Sequence, residues 1–183
     1  MQAVARVSSP HVVLRTATRD DLLAMMSWFP DCRSCRIWGG PEFRYPFTEQ
    51  SFQDDARLEV VPSYVYATDR TLIGFGQYYL RAGRCHVSRL AVSPALRGSG
   101  WGSQLLSALI DLGSTALRVD RCSLFVSADN QRAARLYKRL GFAEAPYPGP
   151  EPAIPEVLYL IAENRCLRRR TPCDPESLVL PPT

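Results

Sequence analysis

A chain of 183 residues with a formal charge of +4, 46% hydrophobic and 22% charged residues has the composition of an ordinary globular protein and can bury one sizeable core. No apolar run approaches the ~20 residues that span a bilayer, no basic-then-apolar leader opens the sequence, and no basic stripe interleaved with aromatics marks a nucleic-acid surface. Membrane and nucleic acid are therefore not expected partners, a cytoplasmic location is expected, and the 21 arginines against one lysine suit a GC-rich, bacterial genome.

In chain order, residues 1–10 read as frayed and Val12–Thr18 as a first strand by its β-branched content. Thr18 can cap a helix that carries Leu22, Leu23, Met25, Met26 and Phe29 and stops at Pro30. Asp31–Phe47 reads as an irregular aromatic loop, either packed against the core edge or forming a pocket wall. Thr48 opens a second helix, to about Leu58. Three strands then form a meander over 63–68, 71–80 and 84–94, joined by Asp69-Arg70 and Ala82-Gly83.

A glycine-rich turn leads from the third of these strands into a helix over Trp101–Leu117, with Gly113 as a candidate kink. Arg121–Ser127 reads as a buried strand, parallel to 84–94 because a helix crosses between them. Asn130–Phe142 is helical, with Ala133, Leu136, Tyr137 and Leu140 on one face and Gly141 as its stop. A proline-rich loop over 146–155 precedes a last strand, Glu156–Ile161. The expected organisation is one domain over 1–163 and a Pro/Arg-rich tail over 164–183.

Cys32 and Cys35 form a C-x-x-C, but a zinc site would require a second pair at similar spacing or two histidines beside them. The chain has six cysteines and only His11 and His86, so no metal is expected and the thiols read as free in a reducing compartment.

The strand–turn–helix over Arg84–Gly113 points to a phosphate-bearing ligand. Glycines let backbone approach closely, and the helix start presents unpaired N–H groups with a partial positive charge. A P-loop requires a Gly-Lys pair, and the only lysine is Lys138. The third glycine of a dinucleotide fingerprint is replaced by Ser103 or Leu105, depending on the starting glycine. The remaining pattern is Arg-x-x-Gly-x-Gly, filled by Arg97, Gly100 and Gly102 after Leu90-Ala91-Val92-Ser93-Pro94.

That segment resembles the pyrophosphate-binding loop of the GNAT acyltransferase superfamily. Asn130, Ala133, Leu136, Tyr137, Gly141 and Phe142 complete a second motif of the same family, Asn-x-x-Ala-x-x-Leu-Tyr-x-x-x-Gly-Phe. The resemblance covers 84–142 well and the rest more loosely. It implies an α/β (α+β) GNAT fold: a mixed central sheet of six to seven strands, about four flanking helices and the order β-α-α-β-β-β-α-β-α-β. It further implies an N-acetyltransferase that takes acetyl-CoA as donor and a primary amine as acceptor, by direct transfer in a ternary complex, as a monomer or homodimer. A non-catalytic acyl-CoA-binding module is the alternative.

By the same resemblance, Arg97, Gly98, Ser99, Gly100, Trp101 and Gly102 bind the pyrophosphate. Leu90, Ala91 and Val92 carry the pantetheine arm, which Asn130 and Ala133 meet from the helix. Tyr137 protonates the departing thiolate. His86 occupies the position where family members often place a glutamate base, and imidazole with pKa ≈ 6.5 suits that role near neutral pH. Trp38, Glu42, Tyr45 and Phe47 fall in the segment that lies over the acceptor.

Overall fold

The computed structural model describes residues 11–149 and 156–164. Expectations for residues 1–10, for the prolines within 150–155 and for the tail from 165 onward lie outside the described residues. Seven strands form one sheet: β1 (Val13–Thr16), β2 (Ser63–Ala67), β3 (Leu72–Arg81), β4 (Arg84–Val92), β5 (Arg121–Ser127), β6 (Ala143–Glu144) and β7 (Val157–Glu163). Their order across the sheet is β1-β2-β3-β4-β5-β7-β6. All neighbours are antiparallel except β4 and β5, which are parallel as expected. The GNAT fold expected from the motifs is the fold observed.

Five helices cover the sheet: α1 (Arg19–Met25), α2 (Cys32–Gly39), α3 (Glu49–Ala56), α4 (Trp101–Leu117) and α5 (Gln131–Leu140). On one face, α4 lies across β3 and β4 and α5 against β5. There Leu105, Leu106, Leu109 and Ile110 pack on Val87, Leu124, Val126 and Leu160. On the other face α1–α3 bury Leu22, Met25, Trp38 and Phe52 against Val65, Phe75 and Ala91. The sheet is thus apolar on both sides where helices cover it, the condition for a mixed sheet with a crossover.

The aromatic stretch after Pro30 is the main departure from the sequence reading. Residues expected to be a loop form α2, and the start signal is a reciprocal cap between Asp31 and Ser34. Their aromatics are core: Trp38 stacks on Phe29 at 4.3 Å and on Phe52 at 5.5 Å, with Phe43 edge-on at 5.0 Å. Strand β6, two residues long, is also additional to the expected order. Other boundaries lie close to expectation, and α4 spans the expected Trp101–Leu117.

Gly113 neither breaks nor kinks α4; it lets the helix settle onto the sheet. A Cβ there would stand 2.6 Å from the Cys85 Sγ and 2.8 Å from the Tyr78 ring. Helix propensity alone gives Gly113→Ala a gain of about 1 kcal/mol. Overpacking against two buried side chains costs about 1–3 kcal/mol, so the clash prevails. Gly113→Ala is expected to lower the melting temperature by several degrees, at roughly 2–4 °C per kcal/mol for a chain of this size. A raised melting temperature would show that propensity decides instead.

Candidate active site

The cleft opens where β4 leaves β5. Their parallel pairing runs only from Cys85–Cys122 to Val87–Leu124. Beyond it β4 bulges: Gln77 of β3 faces Ser88 while Phe75 faces Ala91, so β4 carries one residue more than its partner over that span. The extra residue is Arg89, held in the left-handed region at φ 49°. Trp38 from α2 locks the bulge by donating its indole N–H to the Arg89 carbonyl at 2.7 Å.

The bulge also resets the alternation of side chains along β4. Simple alternation puts His86, Ser88 and Leu90 on one face, but the extra residue turns Leu90 over. Leu90 packs with the α4-side core, close to the Leu109 side chain over Gly76, whereas Ala91 joins the core under α1–α3.

Ile37 and Trp38 wall the cleft from α2, and Ser88, Phe125, Asn130 and Tyr137 line its other sides. Asn130 caps α5 with its Oδ1, which accepts from the Ala133 N–H at 3.2 Å. Among the described residues nothing takes its Nδ2, so cap and ligand donor are compatible roles. Tyr137 lies two turns along the same helix face. Burial pushes its phenol up to about 12, so the group stays protonated throughout the physiological range.

The glycine loop lies at one end of this frame. Gly98 and Gly100 adopt φ of 96° and 88°, conformations that side chains with a Cβ disfavour. Gly100 is the N-cap of α4, a helix of 17 residues with neither a side-chain cap nor an acidic residue in its first turn. Its N-terminal N–H groups and dipole therefore remain available to an anion. Arg97 donates its Nε to the Val92 carbonyl at 3.1 Å, and Arg132 from α5 reaches 3.0 Å from the Cβ position of Gly98. Burial, and then the Arg132 charge, hold the Arg97 guanidinium below its ordinary value. Two crowded guanidiniums beside an open helix start have the chemistry a pyrophosphate requires. Arg132 was absent from the sequence reading, although it stands two residues after Asn130. Trp101 packs its side chain against Ile73 and Leu96, which leaves its backbone N–H for the role expected of it at the phosphates.

His86 is not brought to the cleft. It is 1% exposed, boxed by Tyr79, Phe125 and Tyr159, and its Nδ1 lies 2.9 Å from the Ser123 Oγ. Burial, reinforced by the Arg81 charge, pulls its pKa down to about 3. Of the four residues expected at the acceptor, only Trp38 lines the cleft. Tyr45 donates its hydroxyl to the Pro30 carbonyl, Phe47 packs edge-on against Phe52, and Glu42 is exposed in the turn after α2. Cys32 and Cys35 are free thiols, Cys35 buried. No helix among the described residues is long and apolar enough to cross a membrane.

A model of the acetyltransferase (GNAT) family matches residues 22–142. The chain belongs to that family of acetyltransferases. Aminoglycoside N(6')-acetyltransferase type 1 of Klebsiella pneumoniae is 26% identical over 151 residues, 74% of this chain and 75% of that protein. Mycothiol acetyltransferase of Kineococcus radiotolerans is 43% identical over 72 residues, 39% of this chain but 20% of that protein. Among solved structures, AAC(6')-Ib in complex with ribostamycin and coenzyme A superposes with a TM-score of 0.68 at 22% identity, over 89% of this chain and 99% of that one. Spermidine N-acetyltransferase from Vibrio cholerae, in complex with CoA and spermine, gives 0.62 at 19% identity, over 85% and 97%.

A buried neutral histidine makes stability depend on pH with a definite sign. Below the ordinary value of 6.5 the unfolded chain takes up a proton that folded His86 refuses until about 3. Stability is therefore full above 6.5 and falls as pH drops, by up to about 1.4 kcal/mol per pH unit. Asp21 and Asp55, where hydrogen bonds from Arg15 and Arg44 outweigh burial, are held below their ordinary value of 3.8, so their contribution is lost at lower pH. Denaturant melts between pH 6.5 and 5 should show the decline, and His86→Gln should flatten it. An unchanged slope in the variant would refute the buried, neutral state.

Proposed function

We propose that the protein moves the acetyl group of acetyl-CoA directly onto a primary amine of a small molecule. The observation that carries this reading is that Asn130 and Tyr137 line the cleft formed where β4 parts from β5, with Arg97, Arg132 and the uncapped start of α4 at the neighbouring loop. The small-molecule acceptors named for the relatives, aminoglycosides and spermidine, and the mycothiol acetyltransferase, support that class.

Bound acetyl-CoA supplies an activated thioester. In this reading Arg97 and Arg132 meet its pyrophosphate together with the N–H groups of Gly98–Gly102, and the freed edge of β4 at Leu90–Val92 receives the pantetheine arm. Asn130 offers its Nδ2 to the same arm. Trp38 and Phe125 hold the acceptor side dry. The amine nitrogen bonds to the acetyl carbon as the carbon–sulfur bond breaks. The sulfur takes its proton from the Tyr137 hydroxyl, the amine loses one to water, and solvent returns a proton to the Tyr137 phenolate.

Tyr137 suits the acid role because it remains protonated when its proton is needed. A thiolate whose conjugate acid has pKa ~8.5 is a weaker proton acceptor than phenolate at equilibrium, but the phenol can donate as the bond breaks. His86 is not assigned as the base, because a group that binds protons only near pH 3 and lies off the cleft cannot usefully collect one. The ascending limb of rate against pH should therefore follow the acceptor amine itself.

Tyr137→Phe removes only the hydroxyl. Its kcat, measured as thiol release, should fall by about a hundredfold, the scale of general acid catalysis. The Kd for acetyl-CoA, measured by titration calorimetry, should change little. The unaltered enzyme should show no alkaline decline below about pH 10, because a phenol raised to about 12 keeps its proton there. Equal turnover in the phenylalanine variant would remove Tyr137 from the chemistry.

A further inference from the structure

Arg89, which lines the cleft, carries a guanidinium that no described carboxylate meets in a salt bridge, although Asp55 lies near enough to feel its charge. Arg89 donates its Nη1 to the Ala56 carbonyl at 3.1 Å and to the Gln77 Oε1 at 3.0 Å. Gln77 is itself fixed by its Nε2, which donates to the same carbonyl at 2.7 Å and to the Ser63 Oγ at 2.8 Å. The Phe43 ring lies 5.5 Å from the guanidinium carbon. Among the described residues Arg89 forms no ion pair: the nearby Asp55 is held by Arg44 at 2.8 Å. Burial holds its pKa below the ordinary value. A half-buried charge with no directly paired counter-ion is costly, and Nη2 and Nε form no hydrogen bond with any described group.

Two further observations turn this from an oddity into a reader of substrate. Arg89 occupies the left-handed position of the bulge, where glycine or asparagine is less strained, so the position serves for its side chain and not only for its backbone. In addition, no described residue that lines the cleft is an aspartate or glutamate. A polycationic acceptor is bound through carboxylates; this surface offers arginine, aromatics and serine instead.

The geometry points to an acceptor that carries a carboxylate beside its amine, an amino acid or a compound with the same pairing, read by Arg89. The inference rests on the acetyl-transfer reading above and names the acceptor class within it. Arg89 would hold the carboxylate through Nη2 and Nε, the two donors left over from its bonds to Ala56 and Gln77. The same positive charge disfavours the ammonium form of the incoming amine, which helps a cleft whose described residues include no base.

A panel of L-amino acids, the matching L-amino acid amides, spermidine and kanamycin tests this, with thiol release as the readout. The acids should exceed their amides in kcat/KM by about thirtyfold or more, the scale of one charge-assisted pair, and should exceed both polycations. In Arg89→Met that preference should collapse through KM. The melting temperature and acetyl-CoA Kd of the variant report whether it folds, and Arg89→Lys should restore part of the preference if the methionine variant does not. A merely structural Arg89, capping α3, would lower the melting temperature while leaving the acid-to-amide ratio intact, which overturns the proposal. Preference for the amides or the polycations overturns it too. So does a panel without turnover while acetyl-CoA still binds, whereas failure to bind acetyl-CoA removes the donor reading itself.

Discussion

An additional residue in β4 makes that strand diverge from β5 at a point where a parallel pair would otherwise continue. The hydrogen-bonded pairing stops at Val87–Leu124 because the chain at Arg89 leaves the extended conformation. Holding a non-glycine residue at positive φ costs on the order of 1–2 kcal/mol. The surrounding structure sets several interactions against that cost. Trp38 donates to the Arg89 carbonyl, and the Arg89 side chain meets the final carbonyl of α3, where the helix dipole is negative. The bulge is therefore held from α2 and α3 together, and both cleft walls and cleft floor are tied to one backbone distortion.

His86 gains a clear meaning from the same frame. It pairs in register with Ser123 across the last closed stretch of β4 and β5, and its ring nitrogen meets the Ser123 hydroxyl. The side chain stands at the apex of the fork, where the strands must stay together for the opening beyond to have a fixed width. A buried imidazole packed against three aromatic rings, with one partnered nitrogen, is well suited to join the strands and poorly suited to exchange protons. In the proposed reading the residue type that suggested a base joins two strands instead.

Legibility in the sequence followed the range of the interaction. The glycine loop and the Asn130–Phe142 helix were readable because each is a local device: positive-φ glycines before a helix start, a cap at Asn130, a stop at Gly141. The parallel relation of β4 and β5 followed from the intervening helix. The bulge left no trace, since Arg89 is an ordinary residue in an ordinary-looking strand and period-two reasoning assumes an unbroken ladder. Arg132 was missed because its place beside Gly98 is set by the packing of α5 against the loop, not by nearby sequence. Helix α2 did carry a readable signal, the Asp31–Ser34 cap, but the aromatics and glycines around it drew attention to a pocket wall when most of them are core.

The distribution of charge along the cleft bears on how a proton can leave it. Positive groups stand at the loop, as Arg97 and Arg132, and in the cleft lining, as Arg89; the rest of the lining, including Ser88, Asn130 and Tyr137, is uncharged at neutral pH. In the proposed reading such a field favours an anionic donor and disfavours a protonated amine, so it selects the neutral form of the acceptor before any bond is made. A fixed carboxylate base would work against that selection by stabilising the ammonium it is meant to deprotonate. In the proposed reading the burden of deprotonation falls on water and on the acceptor's own acidity, and the protein's acid–base contribution is concentrated in one group, the Tyr137 phenol, whose burial keeps its proton in place until the sulfur departs.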